Sequence, residues 1–230
     1  ATGSGMSHPN MATMLGFLTT DCAITAPMLQ KALKLAVDDT FNMVSVDGDT
    51  STNDMVSILA NGMAQNPLID QEGPDFDAFL TVIQEICASM AKKIAGDGEG
   101  ATKLVECSVH HAPNTTLAKA IAKSIITSSL VKTAIFGADA NWGRILCAIG
   151  YTEGDFAIDA ISVSISSAKG KIVVCENGAG VPFDEALAKE ILLQEEIHMD
   201  VDLKQGEGEA TAWGCDLTYD YVKINGDYRT

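Results

Sequence analysis

An Ala-Thr pair near the start of the chain offers the most specific chemistry in the sequence. Ala12 and Thr13 lie in the stretch GSGMSHPNMATMLGFLTTD, which begins at Gly3 and contains Pro9. A threonine hydroxyl needs a base to act as a nucleophile, and a threonine at a chain terminus has one in its own α-amine. Cleavage of the Ala12-Thr13 bond would create that base. Ala-Thr pairs are common, however, and spacing alone favours the alternative, a threonine that opens a strand.

Other familiar catalytic patterns are absent from the sequence. It contains no phosphate-binding loop and no GxSxG elbow, and GDGEG (96–100) lacks the strand and helix context of a dinucleotide site. The six cysteines are scattered without a CxxC pair, so we expect reduced and mostly buried thiols. His110 and His111 are adjacent, and on a strand they would point to opposite faces, which argues against a shared metal site. We therefore expect no metal.

Composition limits the classes of function. Lys and Arg number 15 against 31 Asp and Glu, and the net charge of −16 would repel a nucleic-acid backbone. Apolar residues make up 47% of the chain, yet no apolar run approaches the roughly 20 residues of a membrane-spanning helix. We expect a globular, cytoplasmic protein with neither a nucleic-acid partner nor a membrane anchor.

The elements that must position these groups alternate between strands and helices. Periodicity predicts strands over 14–20, 102–111, 130–137, 159–166, 171–178, 196–204 and 209–217. It predicts helices over 26–41, 55–64, 74–95, about 115–128, 141–150 and about 184–193. An antiparallel pair is expected across KQGEGEA (204–210). This pattern predicts an α/β (α+β) fold with mixed sheets layered with helices, and leaves open a division into two lobes near residue 155.

Five blocks of the sequence, in order, resemble one known family. GSGMSHPNMATMLGFLTTD looks like the self-cleavage signature of ornithine acetyltransferase, the bifunctional glutamate N-acetyltransferase family of arginine biosynthesis. DGDTSTND, DGEGATK, SLVKTAIFGADANWGRI and the terminal YVKINGDYRT are similar to the other blocks of that family. The likeness spans the chain and implies the self-processing ornithine acetyltransferase, or DmpA-like, fold.

The resemblance also implies a mechanism and partners. A precursor of this family cleaves itself before a threonine, so residues 1–12 would be the tail of an upstream alpha subunit and 13–230 the downstream beta subunit. Thr13 would take the acetyl group of N-acetylornithine and pass it to glutamate. No bound cofactor is implied, and acetyl-CoA is left open as an alternative donor. The expected assembly is a hetero-oligomer of alpha-beta pairs, with the oxyanion-hole residues on the upstream part.

By the same resemblance, Glu99, Asn225 and Thr230 bind substrate. A carboxylate can pair with the ammonium of an amino acid, and amide and hydroxyl groups can orient it. Taken alone, Glu99 fits a loop cap, Asn225 a turn before glycine and Thr230 a frayed terminus. Thr2 stands where the family usually has a substrate-binding lysine and cannot supply its charge. Either another cation substitutes, or Thr2 marks altered specificity, an engineered change or a boundary artefact.

Two rival functions stay open at this point. One is a self-processed amidase or aminopeptidase of the same fold, with water as the acceptor. The other is a non-catalytic binding subunit, for which the absent lysine is the one hint. Trp142 and Arg144, in FGADANWGR, are predicted to serve packing and a structural ion pair rather than catalysis.

Overall fold

The computed structural model describes residues 1–9 and 14–227, in which strands and helices alternate. The described strands are β1 (Leu15–Thr20), β2 (Val44–Ser45), β3 (Met55–Ala60), β4 (Leu104–Ala112), β5 (Ser162–Ser167), β6 (Gly170–Glu176), β7 (Ala179–Gly180), β8 (Glu196–Asp202) and β9 (Gly208–Cys215). The described α-helices are α1 (Ala26–Asp39), α2 (Pro74–Gly96), α3 (Thr115–Thr127), α4 (Ser129–Phe136), α5 (Trp142–Gly150), α6 (Glu185–Leu192) and α7 (Tyr219–Asp227). None of these helices combines the length and apolar character needed to cross a membrane.

The described strands belong to two sheets. One has seven strands in the order β2-β9-β4-β8-β5-β6-β7, and β1 and β3 form a separate parallel pair. In the large sheet β4 runs parallel to β8 and antiparallel to β9, so the sheet is mixed. The predicted α/β fold with mixed sheets and layered helices is therefore confirmed. Strands from both sides of residue 155 are hydrogen-bonded in the large sheet, so that position does not separate two sheets.

The large sheet is buried on the face that α3 covers. Helical spacing brings the fully buried Ile121 and Ile125 of α3 into the apolar core that contains the equally buried Cys107 and Val109 of β4. Successive strand residues alternate between faces, so Ser108 lies on the opposite face, where its hydroxyl is hydrogen-bonded to β9. Burying one such isoleucine stabilises the fold by about 1.5–3 kcal/mol. This apolar face therefore holds α3 and the central strands together.

Helix α2 leads directly into the GDGEG loop. It begins with Pro74, carries Asp75 and Asp77 in its first turn and has Lys93 in its last turn, all of which suit those ends of a helix. It packs against α1 and against the large sheet. Because α2 is held along its length, the loop that follows Gly96 starts from a fixed position.

The helix predicted over 55–64 is wrong. Met55–Ala60 form β3, a strand of 6 residues that pairs in parallel with β1. The carboxylate of Asp54, just before this strand, accepts a hydrogen bond from the backbone N–H of Met14. A short apolar run fits a strand or a helix equally well, and here pairing with the neighbouring strand decides the structure.

The strand predicted over 130–137 is also wrong, because residues 130–136 belong to α4 and Gly137 follows its last turn. The Ser128 side chain caps this helix by accepting a hydrogen bond from the N–H of Val131. The buried side chains of α4, from Val131 to Ile135, recur at helical spacing. With 8 residues, α4 is too short for periodicity alone to separate it from a buried strand.

The antiparallel pair predicted across 204–210 is wrong for a different reason. Strands β8 and β9 flank this segment, but β4 lies between them. The connecting loop crosses the end of β4, where the N–H of Leu203 donates to the carbonyl of His110 and that of Gln205 to the carbonyl of His111. A short connection between two strands is typical of a hairpin, but here a third strand, β4, lies between the two.

The cysteines behave as the scattered spacing predicts. All six are free thiols, and Cys87, Cys107, Cys175 and Cys215 are buried. Burial raises the pKa of these four thiols, and that of Cys87 reaches about 11. Thiols in such surroundings stay protonated near neutral pH and act as small apolar side chains. In the two described ranges, no group of three or more His, Cys, Asp or Glu side chains is arranged to hold a metal ion.

The buried face of α3 can be tested with a matched pair of isoleucines on two helices. We expect Ile125→Ala to lower the free energy of unfolding by about 2–5 kcal/mol, because it removes a fully buried side chain and leaves a cavity. Ile86→Ala on α2, where the side chain is 44% exposed, should cost less than about 1 kcal/mol. Urea unfolding followed by far-ultraviolet circular dichroism measures both. Equal losses would contradict this assignment of the core.

Candidate functional site

Half of the predicted site residues lie in the described part of the chain. These are Thr2, Glu99 and Asn225. Outside the described residues lie Ala12, Thr13 and Thr230. Met14, the covalent neighbour of Thr13, is described.

Met14 is fixed on both sides of its backbone. Its N–H donates to Oδ1 of Asp54 over 2.7 Å, and its carbonyl accepts a hydrogen bond from the N–H of Met55 over 2.8 Å. Its side chain is completely buried in the main core. Strand β1 therefore starts next to a residue that is fixed on both sides.

The first residues of the chain run beside β1. The N–H of Thr2 donates to the carbonyl of Leu15 over 2.9 Å, and the N–H of Leu15 donates to the carbonyl of Thr2 over 3.0 Å. These two bonds form an isolated antiparallel bridge. Thr2, one of the predicted substrate-binding residues, is thereby held next to the start of β1.

Glu99 lies against the same N-terminal segment. Its backbone N–H donates to the carbonyl of Ser4 over 2.8 Å. A Cβ at Gly5 would come within 2.6 Å of both carboxylate oxygens of Glu99, so a larger residue at position 5 would displace that carboxylate. The glycine in GSGM and the glutamate in DGEG are therefore in contact, although they are distant in the sequence.

Asn225 meets Glu99 directly. Its side-chain amide donates to Oε2 of Glu99 over 3.0 Å and to the carbonyl of Tyr221 over 3.1 Å. Asn225 lies on α7, which the sequence did not predict, because this helix has no buried residues and so no apolar stripe. Two of the predicted substrate-binding residues are thus in contact.

Helix α7 is anchored at its first turn. The hydroxyl of Thr218 donates to the carbonyl of Gly100 over 2.6 Å and accepts from the N–H of Asp220 over 3.2 Å. The ring of Tyr219 stacks edge-on against Phe136 of α4, with ring centroids 5.6 Å apart. Helix α4 therefore helps to fix the start of α7, the helix that carries Asn225.

A second carboxylate ties the N-terminal segment to α7. Asp47 accepts hydrogen bonds from the N–H groups of Met6 over 2.7 Å and Ser7 over 3.1 Å, and from the Tyr221 hydroxyl over 3.5 Å. Burial, with the nearby carboxylates, raises the pKa of Tyr221 to about 12, so its phenol stays protonated and can donate. Sequence reasoning did not select Asp47 or Tyr221, although both lie in blocks that carry the resemblance.

Asp54 was also missed as a site residue. One oxygen of its carboxylate holds the N–H of Met14, while Oδ2 is buried and has no hydrogen-bond partner among the described residues. Burial raises the pKa of Asp54, and the bond from Met14 opposes that shift. An unsatisfied buried polar atom of this kind costs about 1–3 kcal/mol.

A lysine on α2 lies near Thr2. Lys93 lines a cavity of about 280 Å³ together with Thr2, Gly3 and Asp97. Lys93 and Asp97 also line a larger cavity of about 780 Å³ between α2 and the start of β4, which none of Thr2, Glu99 and Asn225 lines. A cation is therefore present beside the position at which the resembled family carries a lysine.

His110 and His111 line a different cavity, which none of Thr2, Glu99 and Asn225 lines. A β-bulge near the end of β4 and a φ of +52° at His111 turn both rings toward one cavity of about 410 Å³, so the expected alternation between faces does not hold for His110 and His111. Nδ1 of His111 lies 2.9 Å from Oδ1 of Asp202.

Trp142 and Arg144 of the FGADANWGR loop have their described contacts elsewhere, away from Met14, Glu99 and Asn225. Trp142 packs against Gly180, as a structural role predicts. The ion pair predicted for Arg144 is wrong: Nη1 donates to the carbonyl of Leu130 over 2.9 Å, and no ion pair of this residue occurs within residues 1–9 and 14–227. Arg144 satisfies a backbone acceptor on α4 instead.

Comparison with solved structures identifies a close structural relative. The crystal structure of the arginine biosynthesis bifunctional protein ArgJ from Bacillus halodurans superposes with a TM-score of 0.89 at 47% sequence identity. The match covers 94% of this chain and 100% of that chain.

Sequence comparison points the same way. The arginine biosynthesis bifunctional protein ArgJ of Caldanaerobacter subterraneus subsp. tengcongensis is 55% identical over 230 residues, and that of Thermotoga neapolitana is 53% identical. Both matches cover the whole of this chain, which spans 57% and 58% of the respective relatives. The model of the ArgJ family matches residues 1–230. From its first residue to its last, the chain belongs to the ArgJ family.

Proposed function

We propose that this chain is part of an acyltransferase that moves the acetyl group of N-acetylornithine to glutamate through an acetyl ester on Thr13. The observation that carries the proposal is a set of contacts that joins the three described substrate-binding candidates to the N-terminal segment beside β1. Thr2 pairs with Leu15, Glu99 binds the carbonyl of Ser4, and Asn225 binds Glu99. Membership of the ArgJ family, whose relatives named above are arginine biosynthesis bifunctional proteins, supports the same reaction. The cytoplasm is the expected compartment.

The reaction begins after the precursor cleaves itself between Ala12 and Thr13. The α-amine of Thr13 takes the proton of its own hydroxyl as Oγ bonds to the acetyl carbonyl carbon. The proton then passes to the ornithine nitrogen as the carbon–nitrogen bond breaks, and ornithine leaves. The amine of glutamate attacks the resulting ester, which restores the Thr13 hydroxyl and releases N-acetylglutamate. No metal or bound cofactor enters these steps, and acetyl-CoA remains an alternative donor.

Two charged side chains are proposed to bind the amino-acid part of the substrate. The Glu99 carboxylate pairs with the substrate ammonium, and Asn225 orients that carboxylate through their hydrogen bond of 3.0 Å. Lys93, across the cavity from Thr2, supplies a positive charge for the substrate carboxylate. Thr230 is proposed to contribute a hydroxyl from the last residue of the chain.

The upstream part of the precursor is the proposed partner. The curated relatives extend well beyond this chain, which spans 57% of the first of them. The donors that stabilise the developing oxyanion are proposed to lie on that upstream part. The β1–β3 pair offers a surface for it, since Phe17 is 63% and Leu59 70% exposed on neighbouring strands. Alpha-beta pairs would then assemble into a hetero-oligomer.

The nucleophile is tested by intact mass. We expect a co-expressed full precursor to yield a downstream chain that begins at Thr13, co-elutes with the upstream part and gains one acetyl group from N-acetylornithine alone. Thr13→Ala should be neither cleaved nor acetylated, whereas Thr13→Ser, which keeps a hydroxyl, should retain part of both reactions. An uncleaved, unlabelled wild-type chain would favour a binding subunit. Acetyl loss to water without transfer to glutamate would favour an amidase.

Ammonium binding by Glu99 is tested by a charge-removing substitution. We expect Glu99→Gln to raise KM for N-acetylornithine about 10- to 100-fold, because a charge-assisted hydrogen bond contributes about 1.5–3 kcal/mol. Glu190→Gln, at an exposed position of α6, is the matched control and should leave KM unchanged. Steady-state assays of acetyl transfer measure both variants, and an unchanged KM for Glu99→Gln would contradict the assignment.

The role of Lys93 is tested together with Thr2. We expect Lys93→Gln to raise KM for N-acetylornithine about tenfold, in line with the loss of one ion pair in a partly enclosed site. Adding Thr2→Lys to that variant should lower KM again, since it returns a cation to the same cavity. Lys34→Gln on the exposed side of α1 is the control. If Lys93→Gln behaves like Lys34→Gln, the carboxylate is bound elsewhere.

A further inference from the structure

Three buried charges meet at one junction of the fold. Among residues 1–9 and 14–227, the buried charged side chains are Lys103, Lys132 and Asp216, which are 8%, 5% and 3% exposed. Burying a charge is unfavourable unless the charge is paired or hydrogen-bonded. None of the proposed acetyl-transfer steps uses these three side chains, so their burial calls for another explanation.

The Asp216 carboxylate binds the segment that follows Glu99. Its Oδ1 accepts hydrogen bonds from the N–H groups of Thr102 over 2.8 Å and Lys103 over 3.0 Å, and its Oδ2 accepts one from the Thr102 hydroxyl. The N–H of Asp216 in turn donates to the carbonyl of Lys103 over 3.2 Å. Thr102 and Asp216 are 114 residues apart in the sequence. This carboxylate therefore joins two segments that only the fold brings together.

The two buried lysines hold the same junction through backbone carbonyls. Nζ of Lys103 donates to the carbonyl of Ile135 over 2.6 Å, in the last turn of α4. Nζ of Lys132 donates to the carbonyl of Cys215, the last residue of β9. Burial lowers the pKa of Lys103, and the neighbouring Asp216 carboxylate opposes that shift. Asp216 thus favours the charged form of a lysine that is removed from water.

The segment that follows β9 leads directly into α7, the helix that carries Asn225. The Thr218 hydroxyl, in this segment, donates to the carbonyl of Gly100, the residue after Glu99. A Cβ at Gly100 would lie 2.5 Å from the backbone nitrogen of Tyr221, and the φ of +69° at Gly100 is one that residues with a side chain rarely adopt. Glycine therefore allows the loop that carries Glu99 to lie directly against the first turn of α7.

We propose that Asp216 is a positioning residue for substrate binding, because its carboxylate fixes the loop that carries Glu99 to the segment that leads to Asn225. This inference rests on the proposed function, in which Glu99 binds the substrate ammonium and Asn225 orients the Glu99 carboxylate. Asp216 is buried and acts through these two residues. It keeps their hydrogen bond of 3.0 Å in place, so the carboxylate is already oriented when the substrate binds.

The test changes the charge and the hydroxyl of this junction separately, in the complete protein with both parts of the precursor present. Asp216→Asn keeps the volume and an acceptor for the two N–H groups but removes the charge. Because that charge also acts on the buried Lys103, a milder variant, Thr102→Val, removes only the hydroxyl donor to Oδ2. Thr102→Ser keeps that donor. Asp184→Asn is the matched control, since Oδ1 of Asp184 also accepts two backbone N–H groups, at the start of α6.

We expect Asp216→Asn to raise KM for N-acetylornithine about tenfold and Thr102→Val about threefold, with kcat changed less than about twofold, because weaker substrate binding raises KM alone. Thr102→Ser and Asp184→Asn should leave both constants unchanged. Steady-state acetyl transfer and thermal unfolding are measured for each variant. A purely structural role predicts a lower melting temperature with an unchanged KM. That outcome in Asp216→Asn, or in Thr102→Val if Asp216→Asn does not fold, would overturn the inference.

A second measurement asks whether Asp216 acts through Glu99. In a Glu99→Gln background the substrate ammonium has already lost its charged partner. Adding Asp216→Asn or Thr102→Val should then raise KM less than about twofold further, because the two changes disturb one interaction. Effects that multiply would rule out positioning through Glu99. If Glu99→Gln alone leaves KM unchanged, the ammonium site of the proposed function fails instead.

Discussion

The two hydrogen bonds on the backbone of Met14 fix the point on which the rest of the site depends. They join β1 to Asp54 and to Met55, and the next residue of β1 binds Thr2. A hydrogen bond to a charged group contributes about 1.5–3 kcal/mol, a sizeable part of the 5–15 kcal/mol that separates folded from unfolded domains. Without these hydrogen bonds, the positions of Asp54, Met55 and Thr2 relative to the start of β1 would not be fixed.

The fold shows what sequence patterns can and cannot predict. Helices α2 and α3 have long apolar stripes, so their periodicity identified them correctly. The short β3 and α4 were exchanged for the opposite kind of element, because six to eight apolar residues fit either one. Helix α7 has no buried residue and gave no periodic signal. Its position follows from contacts at its start with Gly100 and Phe136, which only the folded chain brings together.

The candidate site was predictable only in part, and for a physical reason. Glu99 and Asn225 were identified by resemblance, and their hydrogen bond joins positions 126 residues apart. Asp47 and Tyr221 are separated by 174 residues, and no local spacing relates them. Several hydrogen bonds of this region are of that kind, between a side chain and a distant partner. Sequence motifs identify the segments that contribute residues to the site, whereas the partner of each side chain depends on how those segments pack in the fold.

The region around Tyr221 is rich in carboxylates. Asp47, Asp49 and Glu99 all act on Tyr221 and help to raise the pKa of its phenol. Asp47 is balanced mainly by backbone N–H groups, which carry only partial charge. The region is therefore acidic, in keeping with the excess of acidic residues in the whole chain.

Residues 1–9 make their own contacts with later parts of the chain. Ser7 is fully buried, its carbonyl accepts the N–H of Val46 over 2.7 Å, and the carbonyl of His8 accepts the hydroxyl of Thr50 over 2.8 Å. If the backbone between positions 9 and 14 were cut, these contacts would keep the first nine residues bound as a peptide, and the two pieces would separate only as slowly as that peptide dissociates.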